Sequence, residues 1–266
     1  MGVVNVTPDS FSDGGKFFDP AAAIAHGAAL AAAGAHLLDV GGESTRPGAQ
    51  AVSEEEELRR VVAVVRALVL ACPSVPVSVD TSKAAVALAA VDAGASMIND
   101  VTALAGDPQM ARVAAQTGAG LCLMHMQGTP RTMQATPAYG DVVAEVKQFL
   151  GAAAARAIAA GVKPDRLVVD PGIGFGKTID HNLTLLRRLG ELRSLGYPVL
   201  VGTSRKAFLG QITGKPAPQR VGATAATVAI IAAAGSADFV RIHDVAEARD
   251  AAAVGDAVRF GYRAAP

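Results

Sequence analysis

Eight short runs of aliphatic and β-branched residues alternate with eight longer, alanine-rich stretches along this chain. The strand-like runs centre on 3–6, 36–40, 77–79, 97–98, 120–124, 167–169, 199–201 and 239–242. The helix-like stretches lie at about 20–33, 54–71, 82–93, 108–117, 141–160, 180–194, 217–234 and 246–260. Strands that alternate with helices form a parallel sheet, and eight such units close into a barrel. The sequence therefore predicts an α/β fold, a (β/α)8 TIM barrel with residues 1–266 as a single domain.

The composition agrees with a barrel of this kind. The chain has 266 residues, a length that α/β barrels use as one domain. Apolar residues make up 51% of the chain, aromatic residues only 4%, and Trp is absent. The core must therefore be built from Ala, Val, Leu and Ile, as in a parallel sheet covered by helices.

Charge and cysteine content exclude several classes of function. Lys and Arg number 24 against 24 Asp and Glu, so no basic excess is available to bind a nucleic-acid backbone. The two cysteines, Cys72 and Cys122, form no CxxC motif, which argues against a disulfide framework or a cysteine zinc site. No apolar run is long enough to span a membrane, and the N-terminus lacks a signal sequence. We expect a cytoplasmic protein without a membrane or nucleic-acid partner.

Polar side chains collect just after the predicted strands. They include Asn5, Asp39, Asp80, Asn99, Asp100, His125, Asp170, Ser204, Arg205, Lys206, Arg241, His243 and Asp244. The carboxyl ends of barrel strands form the active-site face, so these side chains are expected to meet there. Capping of the following helices is the alternative, and it explains one or two positions well, such as Thr81 and Ser82. It does not explain polar residues at all eight strand ends.

One group of these residues is suited to a flat heterocycle. Asp80, Asn99 and Asp170 would be buried acceptors, and buried acceptors need donors. A heterocycle with ring N–H and amino groups would provide them. For each residue alone, a hydrogen bond to a loop backbone is an equally good interpretation.

A second group is suited to phosphate. Arg241 and His243 alternate on the last strand and so point to the same side, with Lys206 and Asn5 on the same face of the barrel. Arginine offers a forked donor for phosphate, and an asparagine oxygen can bind Mg²⁺ that is held mainly by substrate phosphates. The alternative is that Arg241 simply pairs with a neighbouring acid.

Two glycine-rich loops, 7–16 and 41–49, have the composition of lids that close over a substrate. The alternative is a mobile surface loop without chemistry. Phe11 in the first loop favours the lid, because an exposed aromatic on a loop usually covers something. The glycine run at 172–176 lacks the Rossmann spacing and is weak evidence for a nucleotide site.

Several segments of the chain together carry a family signature. The segments MGVVNVTPDSFSDGG at 1–15 and DVGGESTRPGA at 39–49 resemble the two signatures of dihydropteroate synthases. Further matches follow in the family's order: SVDT at 78–81, INDV at 98–101, DPGIGFGK at 170–177, SRK at 204–206 and RIHDV at 241–245. The resemblance covers nearly the whole chain, and its first two motifs are long and specific.

The resemblance implies a role for each matching residue. It implies a pterin site formed by Asp80, Asn99, Asp170, Phe175 and Lys206, and a pyrophosphate site formed by Asn5, Arg241 and His243, with Asn5 also on Mg²⁺. It implies that p-aminobenzoate lies among Thr45, Arg46, Pro47 and Ser204, with Phe11 in the loop that closes on it. The implied catalytic residues are Asp80, Asp170, Lys206 and Arg241.

The resemblance also implies a reaction. Dihydropterin pyrophosphate and p-aminobenzoate would condense with the help of Mg²⁺, and sulfonamides would compete at the same site. The enzyme would be a homodimer. A methyltetrahydrofolate–corrinoid methyltransferase would share Asp80, Asn99 and Asp170, but it would not need Thr45, Arg46 or the anion site. A barrel that only binds pterins would be free to lose the anion and metal residues.

Overall fold

Eight parallel strands form the centre of the protein, as seen in a computed structural model that describes residues 1–7, 19–44, 48–129 and 132–262. The strands are β1 (Gly2–Asn5), β2 (Leu38–Gly41), β3 (Val77–Asp80), β4 (Met97–Asp100), β5 (Gly120–Met124), β6 (Leu167–Asp170), β7 (Leu200–Val201) and β8 (Phe239–Val240). Each lies within a few residues of its predicted position.

The strands form a closed ring. β1 to β6 pair with their neighbours in chain order, and β7 pairs with β8. Parallel bridges then join Val169 to Val199 and Gly2 to Ile242, connecting β6 to the β7 segment and the β8 segment back to β1. Closure leaves no unpaired sheet edge. The predicted (β/α)8 barrel is confirmed.

Nine α-helices of the described chain surround the ring. They are α1 (Pro20–Ala32), α2 (Glu54–Ala71), α3 (Ala84–Asp92), α4 (Met110–Thr117), α5 (Val142–Ala159), α6 (Ile179–Arg187), α7 (Ala207–Thr213), α8 (Val221–Ala234) and α9 (Val245–Phe260). The predicted helix at 180–194 is shorter, because its second half, Leu189–Leu195, is a 3₁₀-helix. None of these helices is long and apolar enough to cross a membrane.

The helix α7 was not predicted from the sequence. This helix has only seven residues, and its N-cap, Lys206, makes no side-chain capping bond. Neither a long apolar period nor an Asp or Ser cap was therefore available to indicate it. Its position matters, because it begins directly after the SRK motif.

Alternation along the strands separates an apolar plug from a polar upper layer inside the barrel. Leu37, Met97 and Val168 belong to a buried cluster that also contains Cys122 and Leu200. The residues two positions further along these strands are Asp39, Asn99 and Asp170. Side chains two apart in a strand point to the same face. The barrel interior is therefore filled by apolar side chains towards the amino ends of the strands, and it presents polar side chains at their carboxyl ends.

Cys72 and Cys122 are both buried and are not joined in a disulfide.

Candidate active site

A cleft of about 1660 Å³ opens at the carboxyl ends of the strands. The predicted residues that line it are Asn5, Asp80, Asn99, Asp170, Phe175, Ser204, Lys206, Arg241 and His243. They come from six of the eight strands or the loops that follow them. The remaining predicted residues, Phe11, Thr45, Arg46 and Pro47, lie outside the described residues.

Arg241 is held by two carboxylates at the floor of this cleft. Its Nε donates to Asp39 Oδ2 at 2.6 Å, and its Nη2 donates to Asp80 Oδ2 at 2.7 Å. The amide of Asn99 donates to the same Asp39 oxygen at 3.1 Å. Burial works against the charged guanidinium, but the Asp39 and Asp80 carboxylates raise the pKa of Arg241. Arg241 therefore pairs with neighbouring acids here, which was the alternative considered for it, and its role towards phosphate stays a prediction.

Asp39 is a site residue that the sequence analysis did not assign a role. It is fully buried on β2, and its second oxygen, Oδ1, has no hydrogen-bond partner among the described residues. Asn99 Oδ1 is in the same situation. Buried acceptors of this kind usually have a partner, so both oxygens indicate a place for donors. The signal available in the sequence was an acid at an inward-facing strand position.

Burial raises the pKa of Asp80, while the Arg241 guanidinium opposes this shift. Burial likewise raises the pKa of Asp170, opposed by a backbone hydrogen bond from Gly172 N to its Oδ1 at 2.7 Å. That close turn requires glycine: Gly172 has a φ of +65°, and a Cβ there would lie 1.9 Å from the His125 carbonyl oxygen. The glycine-rich segment after β6 thus fixes one carboxylate oxygen of Asp170 at the rim of the ring.

Lys206 and Phe175 form one wall of the cleft. The Lys206 Nζ lies 4.1 Å from the centre of the Phe175 ring, a cation–π distance. Burial lowers the pKa of Lys206, and the Asp170 carboxylate acts in the opposite direction. The Lys206 ammonium group and the Phe175 ring, beside the Asp80 and Asp170 carboxylates, form a surface suited to binding a flat, polar ring.

Ser204 and His243 are joined, although the sequence analysis assigned them to different ligands. The Ser204 Oγ lies 2.9 Å from His243 Nδ1, and the His243 backbone N–H donates to the same oxygen at 3.1 Å. The ends of β7 and β8 are therefore locked together beside Arg241. Any ligand group bound by one of these side chains lies close to the other.

Lys177 was also missed as a structural element of the site. It is buried, and its Nζ lies 2.9 Å from His125 Nδ1 and 2.9 Å from the Phe175 carbonyl oxygen, to which it donates. Burial lowers the pKa of Lys177 to about 7. Burial, assisted by Lys177, lowers the pKa of His125 to about 3, so this imidazole is neutral. Lys177 ties β5 to the segment that carries Phe175.

The donors in the cleft limit how a metal could bind. Within the described part of the chain, no group of three His, Cys, Asp or Glu side chains is arranged to hold a metal ion. Asn5 contributes one amide side chain at the end of β1, where it lines the cleft. Mg²⁺ is commonly held by one or two protein oxygens together with substrate phosphates and water. The residues fit Mg²⁺ that arrives with a phosphorylated ligand.

Comparison with known proteins agrees with this site. The family described as "Pterin binding enzyme" matches residues 1–243. The dihydropteroate synthase of Synechocystis sp. is 47% identical over 259 residues, covering 97% of this chain and 89% of that protein. The Escherichia coli K12 dihydropteroate synthase is 47% identical over 257 residues, covering 97% and 90%.

Solved structures give the same result. The Yersinia pestis dihydropteroate synthase in complex with a sulfonamide drug has a TM-score of 0.92 and 47% identity, covering 97% of this chain and 93% of that one. The Xanthomonas albilineans dihydropteroate synthase in complex with 7,8-dihydropteroate has a TM-score of 0.87 and 46% identity, covering 98% and 93%. A structure of that enzyme with 4-aminobenzoic acid has a TM-score of 0.90 and 49% identity, covering 98% and 92%. This chain belongs to the dihydropteroate synthase family of pterin-binding enzymes.

Proposed function

We propose that this protein is a transferase of folate synthesis that condenses 6-hydroxymethyl-7,8-dihydropterin pyrophosphate with p-aminobenzoate, giving 7,8-dihydropteroate and pyrophosphate. The observation that carries this assignment is one cleft in which acceptors for a pterin ring, Asp80, Asn99 and Asp170, adjoin the cationic group Arg241. A methyltransferase of the corrinoid type would use the acceptors alone. The relatives described above are dihydropteroate synthases and do not favour it.

The pterin ring is proposed to bind edge-on to the three acceptors. Asn99 Oδ1 is buried without a partner among the described residues, which supports a ligand N–H donor at that point. Asp80 and Asp170 would accept from the other ring N–H and amino groups. Phe175 and Lys206 would cover the face of the ring, since their cation–π contact already forms a flat wall.

The reaction is proposed to begin with departure of pyrophosphate. The bond between the pterin methylene carbon and the pyrophosphate oxygen breaks, and the bonding electron pair leaves with pyrophosphate. Arg241 and His243 would stabilise the charge on the leaving group, and Asp80 and Asp170 would stabilise the cationic pterin. The amine nitrogen of p-aminobenzoate then forms the C–N bond and releases a proton. This nitrogen is a neutral nucleophile at pH 7, so positioning replaces a strong base.

Mg²⁺ is proposed as the cofactor, held by Asn5 and the substrate pyrophosphate. When bound, it would neutralise charge on the leaving oxygens. Asn5 supports this proposal because it lines the same cleft as Arg241 and His243. Removal of divalent cations should therefore affect binding of the pyrophosphate substrate more than binding of a pterin without phosphates.

The second substrate is proposed to enter beside Ser204, which lines the cleft and is fixed to His243. Phe11, Thr45, Arg46 and Pro47 remain predicted neighbours of p-aminobenzoate. The 4-aminobenzoic acid complex of the Xanthomonas albilineans relative supports this half of the site. The sulfonamide complex of the Yersinia pestis relative supports competition by sulfonamides at this protein.

We also propose that residues 1–266 act as one domain and that the protein is a cytoplasmic homodimer. Exposed apolar side chains on α8 and α9 support a partner subunit there: Ile230 is 65% exposed, Val254 61%, Val258 74% and Phe260 60%. Such a patch is typical of protein interfaces. Two unpaired cysteines are consistent with a reducing compartment.

The test is pyrophosphate release by purified protein given the pterin pyrophosphate and Mg²⁺, with and without p-aminobenzoate. We expect release that depends on p-aminobenzoate, yields dihydropteroate, and falls at least 100-fold in Asp170→Asn and in Arg241→Ala. Asp250→Asn, an exposed acid on α9, is the matched control and should retain wild-type rates. Pterin binding without turnover would sink the enzyme assignment.

A further inference from the structure

Arg220 lies beside the SRK motif but belongs to none of the groups assigned above. It precedes α8, and its guanidinium donates to backbone carbonyls on both sides of α7. Nη1 donates to Arg205 O at 3.0 Å and to Lys206 O at 3.3 Å, and Nε donates to Lys215 O at 2.8 Å. One side chain therefore closes the segment from 205 to 220 into a loop around α7.

Gly210, in the middle of α7, provides the space for this guanidinium. A Cβ at Gly210 would lie 2.2 Å from Nη2 and 2.4 Å from Cζ of Arg220. These atoms are the end of a flexible side chain, so an added methyl group would displace the guanidinium rather than the backbone. The glycine is not needed for backbone conformation, because alanine is the stronger helix former at such a position.

The backbone that Arg220 holds has an unusual conformation. Arg205 has a φ of +54°, in the left-handed region that residues other than glycine rarely adopt. Its N–H donates to Thr224 Oγ1 at 3.1 Å, and its side chain pairs with Asp244, with Nε 2.9 Å from Oδ2. Arg220 adds the bonds to the two carbonyls that follow. A strained residue persists where its surroundings fix it, and such residues concentrate at functional sites.

We infer that Arg220 is a positioning residue, and that Gly210 is kept free of a side chain so that the Arg220 guanidinium can hold the Lys206 backbone and direct its ammonium group onto Phe175. The inference deepens the proposed function, on which it rests, by adding two residues that act through Lys206. Neither Arg220 nor Gly210 contacts the carboxylates of the cleft in the described structure, so their effect must pass through the segment that carries Lys206.

The experiment compares Gly210→Ala, Arg220→Ala and the double variant, using kcat/KM for the pterin pyrophosphate and calorimetric affinity for 7,8-dihydropteroate. We expect each single variant to lose about tenfold in both quantities, because small displacements of binding groups cost on this scale. The double variant should lose no more than Arg220→Ala alone, since the methyl group then meets no guanidinium. Gly222→Ala is the matched control, because a Cβ there meets no described atom within 4 Å.

Two further arms separate positioning from general stability. Urea midpoints of Gly210→Ala should stay near wild type while its affinity falls. In a Lys206→Ala background, Gly210→Ala should add no further loss of dihydropteroate affinity. Wild-type affinity in Gly210→Ala, or a full tenfold loss that persists without Arg220 or without Lys206, would overturn the inference. Failure of the wild-type protein to bind or form dihydropteroate would instead refute the proposed function.

Discussion

Replacing Lys177 with methionine should change how the stability of this protein depends on pH. Lys177 is 3% exposed and is bonded to His125 and to the Phe175 carbonyl oxygen. Burial lowers its pKa from 10.5 to about 7, with the Asp170 carboxylate partly opposing that shift. In the unfolded chain the same lysine keeps its ordinary pKa. Between these two values the unfolded chain binds more protons than the folded protein.

The sign and size of the effect follow from this difference. Stability rises with pH wherever the unfolded state binds more protons, so Lys177 makes the wild-type protein more stable as pH rises from about 7 towards 10.5. Integrating over pH 7 to 9 gives about 2 kcal/mol. Methionine cannot ionise and lacks this term. The cost of Lys177→Met should therefore be about 2 kcal/mol larger at pH 9 than at pH 7. The lost hydrogen bond to the Phe175 carbonyl oxygen adds a cost at both pH values.

Urea unfolding at pH 7 and pH 9 measures this quantity at one protein concentration. With a slope of about 3 kcal/mol per molar urea, 2 kcal/mol corresponds to about 0.7 M in the difference between midpoints. Lys163→Met, at an exposed position, is the control and should give the same difference from wild type at both pH values. If Lys177→Met also gave a pH-independent difference, the buried ammonium group would not be titrating near neutrality.

Three further predictions concern the floor of the cleft. Asp39→Asn should lower the free energy of unfolding by about 3 kcal/mol, because it removes the charge paired with Arg241 at 2.6 Å while keeping the shape of the side chain. Chemical denaturation measures this loss, and an unchanged midpoint would contradict the prediction. Gly172→Ala should lower the free energy of unfolding by at least about 2 kcal/mol, because the added Cβ would lie 1.9 Å from a backbone oxygen. Thermal denaturation measures this loss. Gly190→Ala is the control, because a Cβ at that position meets no described atom within 4 Å. Affinity for a pterin should fall as pH drops below neutrality, because burial raises the pKa of Asp80 and Asp170 and the protonated acids accept more weakly from ring N–H groups. The same raised pKa values give the ligand-free protein the opposite trend, a stability contribution lost as pH rises, so calorimetry and denaturation should move in opposite directions with pH.

The sequence was sufficient for the ring and for most of the cleft because both depend on local patterns. Strands with alternating inward side chains, each ending in a polar residue, predict where Asp80, Asn99 and Asp170 lie before any tertiary contact is known. The family signatures added a predicted role for each position. Even β7, one of the two shortest strands, was placed correctly, because glycine and serine follow its apolar run.

What the sequence could not give were contacts between elements far apart in the chain. The bond from Arg241 to Asp39 joins residues separated by 202 positions, and nothing in either segment specifies the other. The helix α7 escaped detection because seven residues provide too little periodicity. Arg220 follows from neither pattern nor motif, since its ligands are backbone carbonyls, which leave no signature in side-chain identity.

The arrangement of bonds around Arg241 suits the proposed role of this partly buried cation towards two substrate groups. Its Nε is bound to Asp39, and only its Nη2 is bound to Asp80. In the proposed complex, a pterin that donates to Asp80 would compete with Nη2 alone, so the guanidinium would stay in place through Asp39 while its terminal nitrogens turned to a pyrophosphate oxygen. Without Asp39, the same competition would leave a partly buried charge without its carboxylate partners. The fully buried Asp39 would therefore make the proposed exchange of Asp80 for pyrophosphate energetically feasible, and Asp39→Asn should weaken binding of the pyrophosphate substrate more than binding of a pterin without phosphates.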